Sequence, residues 1–355
     1  MQNPEAPMHR FDYRFLADML PADMAGLSNI IYDLKGRNEV RRLENEPLFL
    51  KLREQAIIQS AVGSNAIEGV STSDKRIREL LEKDAPPLTH DEKEILGYKK
   101  ALQEIFQDGF RGNLSENLIL HLHRTLLEAS SPEAGKYKSR DNWIQERSPD
   151  GSIRVRFVPV SAQEVPSAME QWLLAYQEAR QQAAISPLLL IACAVHDFLC
   201  IHPFMDGNGR VSRLLTVLLL QQEGFDIVRY ISLEEKIYQY RNAYYTSLRA
   251  SSAGWHENTT DYVPVMTFFL QVLYHCYKDL DQKFLDKKAK KLPKAKQIEI
   301  LLEQSFVPVS KRDISRKLPE ISISTIERVL GQLMRDGKIE KIGDFKNARY
   351  RSLNQ

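Results

Sequence analysis

The 355-residue chain is predicted to be all-α, with one small β-hairpin and a separate basic domain at its C-terminal end. Three observations carry this. Apolar residues recur at helical spacing through most of the chain. Only one stretch, Trp143-Ile144 and residues 153–160 around Ser148-Pro149-Asp150-Gly151, alternates like two strands joined by a turn. Residues 283–296 hold seven lysines and Pro293, the composition of a helix end running into a linker.

Composition bounds the answer. At 43% hydrophobic and 27% charged, the chain has the makeup of an ordinary globular protein with room for two or three domains. Its net charge of +2 hides an asymmetry: residues 288–355 carry sixteen Lys/Arg against eight Asp/Glu, a net +8 that leaves −6 for the rest. Cys193, Cys200 and Cys276 are an odd set in a long chain, expected as buried thiols without disulfides. The polar residues 1–14 lack an apolar signal core, and no run reaches the ~18 apolar residues that cross a bilayer, so a cytoplasmic protein is expected.

In chain order, helices are expected at 22–43 and 47–67. The second would bury Leu48, Leu50, Leu52, Ala56, Ile57, Ile58 and Ala61 and stop at Gly69. Its last turn puts Ser64 and Glu68 on one face; a carboxylate there opposes the helix dipole and so suggests a partner. Scaffold helices follow at 75–81, 89–110 and 115–127, the last capped by Ser115. After the hairpin, Ser161-x-x-Glu164 is similar to a capping box opening a helix through Tyr176. Ser186-Pro187 should start an apolar helix over 188–200, a second is expected over 211–223 before Gly224, and a third over 233–248.

Between the first two of these lies the densest chemistry of the chain, Ile201-His202-Pro203-Phe204-Met205-Asp206-Gly207-Asn208-Gly209-Arg210-Val211-Ser212-Arg213. Gly207-Asn208-Gly209 lets backbone amides approach a ligand at a helix N-terminus, where amides and dipole favour an anion, phosphate above all. Arg210 and Arg213, three apart, can face that site with bidentate guanidinium forks. Asp206 supplies a hard oxygen beside the phosphates, as a shared Mg2+ requires, and His202 can take a proton from a hydroxyl near neutral pH. Two plainer readings compete. His202 could be a satisfied core histidine, or His196, His202 and Asp206 could ligate zinc or iron; the second leaves both arginines unexplained, and Pro203 and the glycines break the helical face such ligands share.

His-x-Phe-x-Asp-Gly-Asn-Gly-Arg-x-x-Arg over 202–213 resembles the signature of Fic-domain proteins, with all eight fixed positions filled. The resemblance implies a helical Fic core and transfer of AMP from ATP to a Ser, Thr or Tyr hydroxyl of a target protein or of the chain itself. In it His202 is the base, Asp206 the Mg2+ ligand, and Gly207, Asn208, Gly209, Arg210 and Arg213 hold the nucleotide. Ser64-Asn65-Ala66-Ile67-Glu68-Gly69 resembles the family's inhibitory motif, placed N-terminally, by which Glu68 pairs with Arg213 and keeps it from the γ-phosphate. The hairpin is similar to the family's flap, with Arg156, Phe157 and Val158 as target contacts by strand addition. Tyr244 and Tyr245 are similar in position to residues near the adenine; for the other tyrosines of that helix an aromatic core stripe is the simpler reading. Phosphorylation, another nucleotide donor, de-adenylylation, or a DNA-binding regulator that only senses nucleotide stay as alternatives.

Residues 297–304, 310–318, 322–336, 339–342 and 349–351 read as three short helices and a hairpin, which with their positive charge resemble a winged helix-turn-helix. DNA contact and a dimerisation or protein-contact role are both open, since the helix over 322–336 offers only Arg328 and Arg335 to a groove. The expected division is 1–80, an N-terminal segment with the inhibitory helix; 81–282, the catalytic core; 283–296, the linker; and 297–355, the winged helix, with a homodimer left open.

Overall fold

The structure, a computed structural model, describes residues 9–18, 21–107, 110, 112–147, 153–291, 293–303, 305, 308–343 and 348–353. Through Asp279 the chain forms one compact unit, and from Leu280 a second. Among its described residues the first is all-α apart from one strand pair. Its helices are α1 (Ala22–Glu44), α2 (Glu46–Ile67), α3 (Asp74–Glu82), α4 (His90–Ile105), α5 (Glu116–Leu127), α6 (Val165–Arg180), α7 (Pro187–Ile201), α8 (Asn208–Gln222), α9 (Leu233–Gln239), α10 (Arg241–Ser252) and the start of α11 (Val263–Lys291).

The α7–α8 pair is the hub. Helix α7 is apolar around nearly its whole circumference, and a helix hydrophobic on all sides must be enclosed by others; α8 is buried from Arg210 to Leu220, its two arginines included. Helices α5, α6 and α10 pack around them, and α2 lies across α4, α8 and α9. Two glycines set how closely this layer closes. A Cβ on Gly97 would sit 2.0 Å from the Leu126 carbonyl oxygen, and one on Gly63 would sit 2.9 Å from the Glu235 backbone nitrogen. Buried polar bonds fix α2 further: Ser60 Oγ and Tyr98 Oη donate to the Glu234 carboxylate at 2.6 and 2.8 Å.

Several expectations change. The face of α2 that packs inward carries Phe49, Leu52, Ala56, Ala61, Ser64 and Ile67, while Leu50 is exposed. The N-terminal helices lie in the same compact unit as the helices that follow residue 80. The helix expected over 233–248 breaks at Tyr240 into α9 and α10, and that expected over 89–110 ends at Ile105. Ser161 and Glu164 bond side chain to side chain at 2.5 Å instead of forming a reciprocal cap, and α6 begins only at Val165.

Strands β1 (Ile144–Arg147) and β2 (Ile153–Phe157) pair antiparallel; the turn expected at 148–151 lies outside the described residues. In the second unit, α12 (Lys294–Glu303), α13 (Lys311–Lys317) and α14 (Ile323–Arg335) enclose an apolar core with β3 (Val309–Ser310), β4 (Ile339–Ile342) and β5 (Arg349–Ser352). The sheet order is β3-β5-β4, antiparallel, so a third short strand joins the expected hairpin. Ser310 and Asp313 form a true capping box, and Ser322 Oγ accepts from Thr325 N, as the serines at both starts imply. The expected linker is instead mostly helical, since α11 runs to Lys291 and α12 starts at Lys294. Among the described residues no helix is long and apolar enough to cross a membrane, and the three cysteines are free and buried.

Candidate active site

His202 caps α7 in the left-handed region, φ +52 and ψ +60, which turns the chain sharply out of the helix. Its Nδ1 lies 3.2 Å from the Leu199 carbonyl oxygen. A carbonyl can only accept, so Nδ1 carries the proton and Nε2 keeps its lone pair. Burial lowers the ring's pKa from 6.5 to about 4, against the opposing effect of the Leu199 bond. The imidazole is thus neutral at physiological pH, as a general base must be. It lines a cavity of about 130 Å³ with Glu68, Arg156, Gly209, Arg213, Tyr244 and Tyr245.

The loop from Pro203 to Gly207 is clasped from several sides. Asn208, buried at the start of α8, accepts from Phe204 N at 2.9 Å and donates to Phe204 O at 2.8 Å. Asn142 Nδ2 donates to the same carbonyl, and Lys138 N donates to Pro203 O. Asn208 therefore shapes the loop, with its side chain spent on the backbone. Gly207 precedes α8 at φ +82, a conformation only glycine adopts freely, and Gly209 in the first turn of α8 lines the cavity.

The two arginines part company. Arg213 donates from Nη2 to Glu68 Oε1 at 2.8 Å and to Ser64 O at 2.9 Å, and from Nε to Ser64 Oγ at 2.8 Å. The Glu68 carboxylate presses so near the loop that a Cβ on Gly209 would lie 2.2 Å from Oε1. A carboxylate thus fills the N-terminal end of α8, where a helix favours negative charge. Arg210, expected to face the same place, turns into the interior: Nη1 meets Glu94 Oε2 at 2.7 Å, and Nη2 meets Asp206 Oδ2 at 3.2 Å. Glu94, on α4, had no signal in the sequence, because only the packing of α4 on α8 brings it there.

Asp206 keeps its side chain 68% exposed, with Oδ1 accepting from Gly207 N at 2.6 Å. Among the described residues no group of three His, Cys, Asp or Glu could hold a metal ion. One exposed carboxylate does fit a Mg2+ ion shared with nucleotide phosphates, since that ion keeps waters and takes few protein ligands. His196 is buried, its Nε2 against Ser251 O at 3.0 Å, a structural residue.

At the rim, Ile144 pairs with Phe157 but Gln145 with Val155, so Arg156 is the extra residue of a bulge, a feature that re-aims a side chain. Arg156 accordingly lines the cavity. Phe157 does not face outward as a target contact would. It is buried, stacked on His256 at 5.3 Å, and His256 Nε2 donates to the Val158 carbonyl, so both residues anchor the hairpin. Among the described residues of the hairpin, Ile153 and Val155 are exposed apolar side chains, as is Trp143 just before β1. Tyr244 is buried and Tyr245 half-exposed, its hydroxyl donating to Ile67 O, one residue before Glu68.

Residues 113–220 match the model of the Fic/DOC family. A protein adenylyltransferase Fic of Nematostella vectensis is 29% identical over 211 residues, 57% of this chain and 44% of that one. Protein adenylyltransferase fic-1 of Caenorhabditis elegans is 26% identical over 231 residues, 63% of this chain and 42% of that one. The chain thus spans less than half the length of these curated relatives. Among solved structures, a Fic family protein from Desulfovibrio desulfuricans G20 has the same fold at TM-score 0.63 and 20% identity, covering 96% of this chain and 98% of that one. C. elegans Fic-1 superposes at TM-score 0.59 and 22% identity, over 76% of this chain and 74% of that one. Through residues 113–220 and the motif they carry, the chain contains a Fic domain.

Proposed function

We propose that the chain transfers AMP from ATP to a hydroxyl of a protein, itself included, and that Glu68 restrains the reaction. The observation that carries the reading is the Glu68 carboxylate lying on Gly209 and Arg213 beside His202: an anion site next to a neutral base, filled by the chain's own carboxylate. The names of the curated relatives, which are adenylyltransferases, support the same chemistry.

In this reading the α8 amides and Gly207–Gly209 receive the phosphates, and Asp206 would hold Mg2+, which would supply positive charge beside them. His202 Nε2 takes the proton of the target hydroxyl as its oxygen bonds to the α-phosphorus and the bond to pyrophosphate breaks. Arg213, once free of Glu68, holds the γ-phosphate and so aligns the α-phosphorus. Tyr244 and Tyr245 border the base, and an extended target segment adds to the hairpin edge, with Ile153 and Val155 rather than Phe157 meeting it.

The test uses ATP labelled at either the α- or the γ-phosphate, with the wild-type chain and with Glu68→Gly. α-Label should enter protein and γ-label should not. Incorporation of γ-label would make the chain a kinase, and no incorporation of either would refute transfer.

A further inference from the structure

We propose that His123, on α5, is a positioning residue for the Asp206–Gly209 loop. Its two ring nitrogens are assigned by partners that leave no choice. Gly135 N–H can only donate, and it meets Nδ1 at 2.9 Å, so Nδ1 carries a lone pair. The proton therefore sits on Nε2, which meets the Asp206 carbonyl oxygen at 3.1 Å, an atom that can only accept. The ring is held flat on Phe204, centroids 3.7 Å apart and planes at 8°. A Cβ on Gly207 would lie 3.4 Å from ring atoms, so the imidazole also backs the peptide that starts α8.

One buried imidazole thus ties three segments together: α5, the loop at Gly135, and the loop carrying Asp206. The consequence lies in the Asp206–Gly207 peptide. Its carbonyl is fixed by His123, and its N–H is taken by Asp206 Oδ1. The direction of the Asp206 carboxylate and of the first α8 amides follows from how that peptide stands. A histidine that only filled space would leave the carbonyl free to rotate.

The proposal rests on the adenylylation reading only for its nucleotide readout. Three variants separate its parts. His123→Gln places a donor where Nε2 stands, His123→Asn reaches only the Nδ1 position, and His123→Phe keeps the stack and loses both bonds.

In the full-length chain, 15N correlation spectra of the wild-type ring should show the neutral Nε2–H tautomer. Amide exchange over residues 206–209 should speed up about tenfold in the Asn and Phe variants and stay within about twofold of wild type in Gln, as expected for loss or retention of one hydrogen bond. In a Glu68→Gly background, KM for MgATP should rise about tenfold in Asn and Phe while kcat changes less. The Nδ1–H tautomer, or equal exchange in Gln and Asn, would overturn the role. If the exchange pattern holds but no form, Glu68→Gly included, transfers AMP, the adenylylation reading fails and the positioning role stands.

Discussion

At the scale of single residues, His202 and Arg210 show how one motif divides its labour. His202 is kept neutral by burial, so His202→Ala should lower AMP transfer by about 10²–10⁴ while ATP binding persists. The acid limb of the rate profile should fall near pH 4 rather than 6.5, and a limb near 6.5 would contradict the neutral-base assignment. Arg210 is 2% exposed and paired with Glu94 and Asp206. Glu94→Ala should destabilise the fold by about 3–5 kcal/mol, because it removes the buried carboxylate nearest the guanidinium and leaves only the exposed Asp206 as ion partner. Thermal melting checks this; an unchanged midpoint would mean that the pair carries no structural role. The motif was legible because its residues are consecutive and each type has one dominant use at a helix N-terminus. Glu94 and His123 were not, since a carboxylate on α4 and a histidine on α5 gain meaning only when those helices pack against α8.

Secondary elements were read well wherever apolar spacing and caps agreed: α2, α5, α7 and α14 start or stop at the expected Pro, Ser or Gly positions. Reading failed where tertiary contact decides. The inward face of α2 is set by α4 and α9, which is why Leu50 lies outside while the small residues Gly63 and Ser64 lie inside. Phe157 was expected on the surface of the hairpin because strand alternation cannot foresee a ring waiting on His256. The close approach of α4 and α5 gives a prediction at this scale. Gly97→Ala should cost at least ~2 kcal/mol, since its Cβ would meet the Leu126 carbonyl at 2.0 Å, backbone that cannot step aside. A melting temperature within 1 °C of wild type, against an expected fall of ~4 °C or more, would show that the helices can part freely.

For the whole molecule, buried histidines tie stability to pH, His196 among them, its pKa also lowered by burial. His9, His123 and His202 each have a folded pKa lowered to about 4 by burial, from 6.5. Between those values the unfolded chain binds protons that the native chain excludes, so stability rises with pH across that window and is lost as pH falls from 6.5 toward 4. Melting curves over this range should show the loss, and a flat profile would contradict the burial of these rings.

The central claim is that the Glu68 carboxylate holds Arg213 in a restrained state. The measurement that tests it most directly is incorporation of α-labelled AMP by wild type, Glu68→Gly, Arg213→Ala and the double variant. Arg213 keeps its bonds to Ser64 Oγ and Ser64 O when Glu68 is replaced, and glycine at a helix end costs at most ~1 kcal/mol, so the single Glu68 change should leave the fold standing. Incorporation should rise at least about tenfold in Glu68→Gly, and the gain should vanish when Arg213→Ala is added. Equal rates for wild type and Glu68→Gly, or a gain that survives without Arg213, would contradict the account.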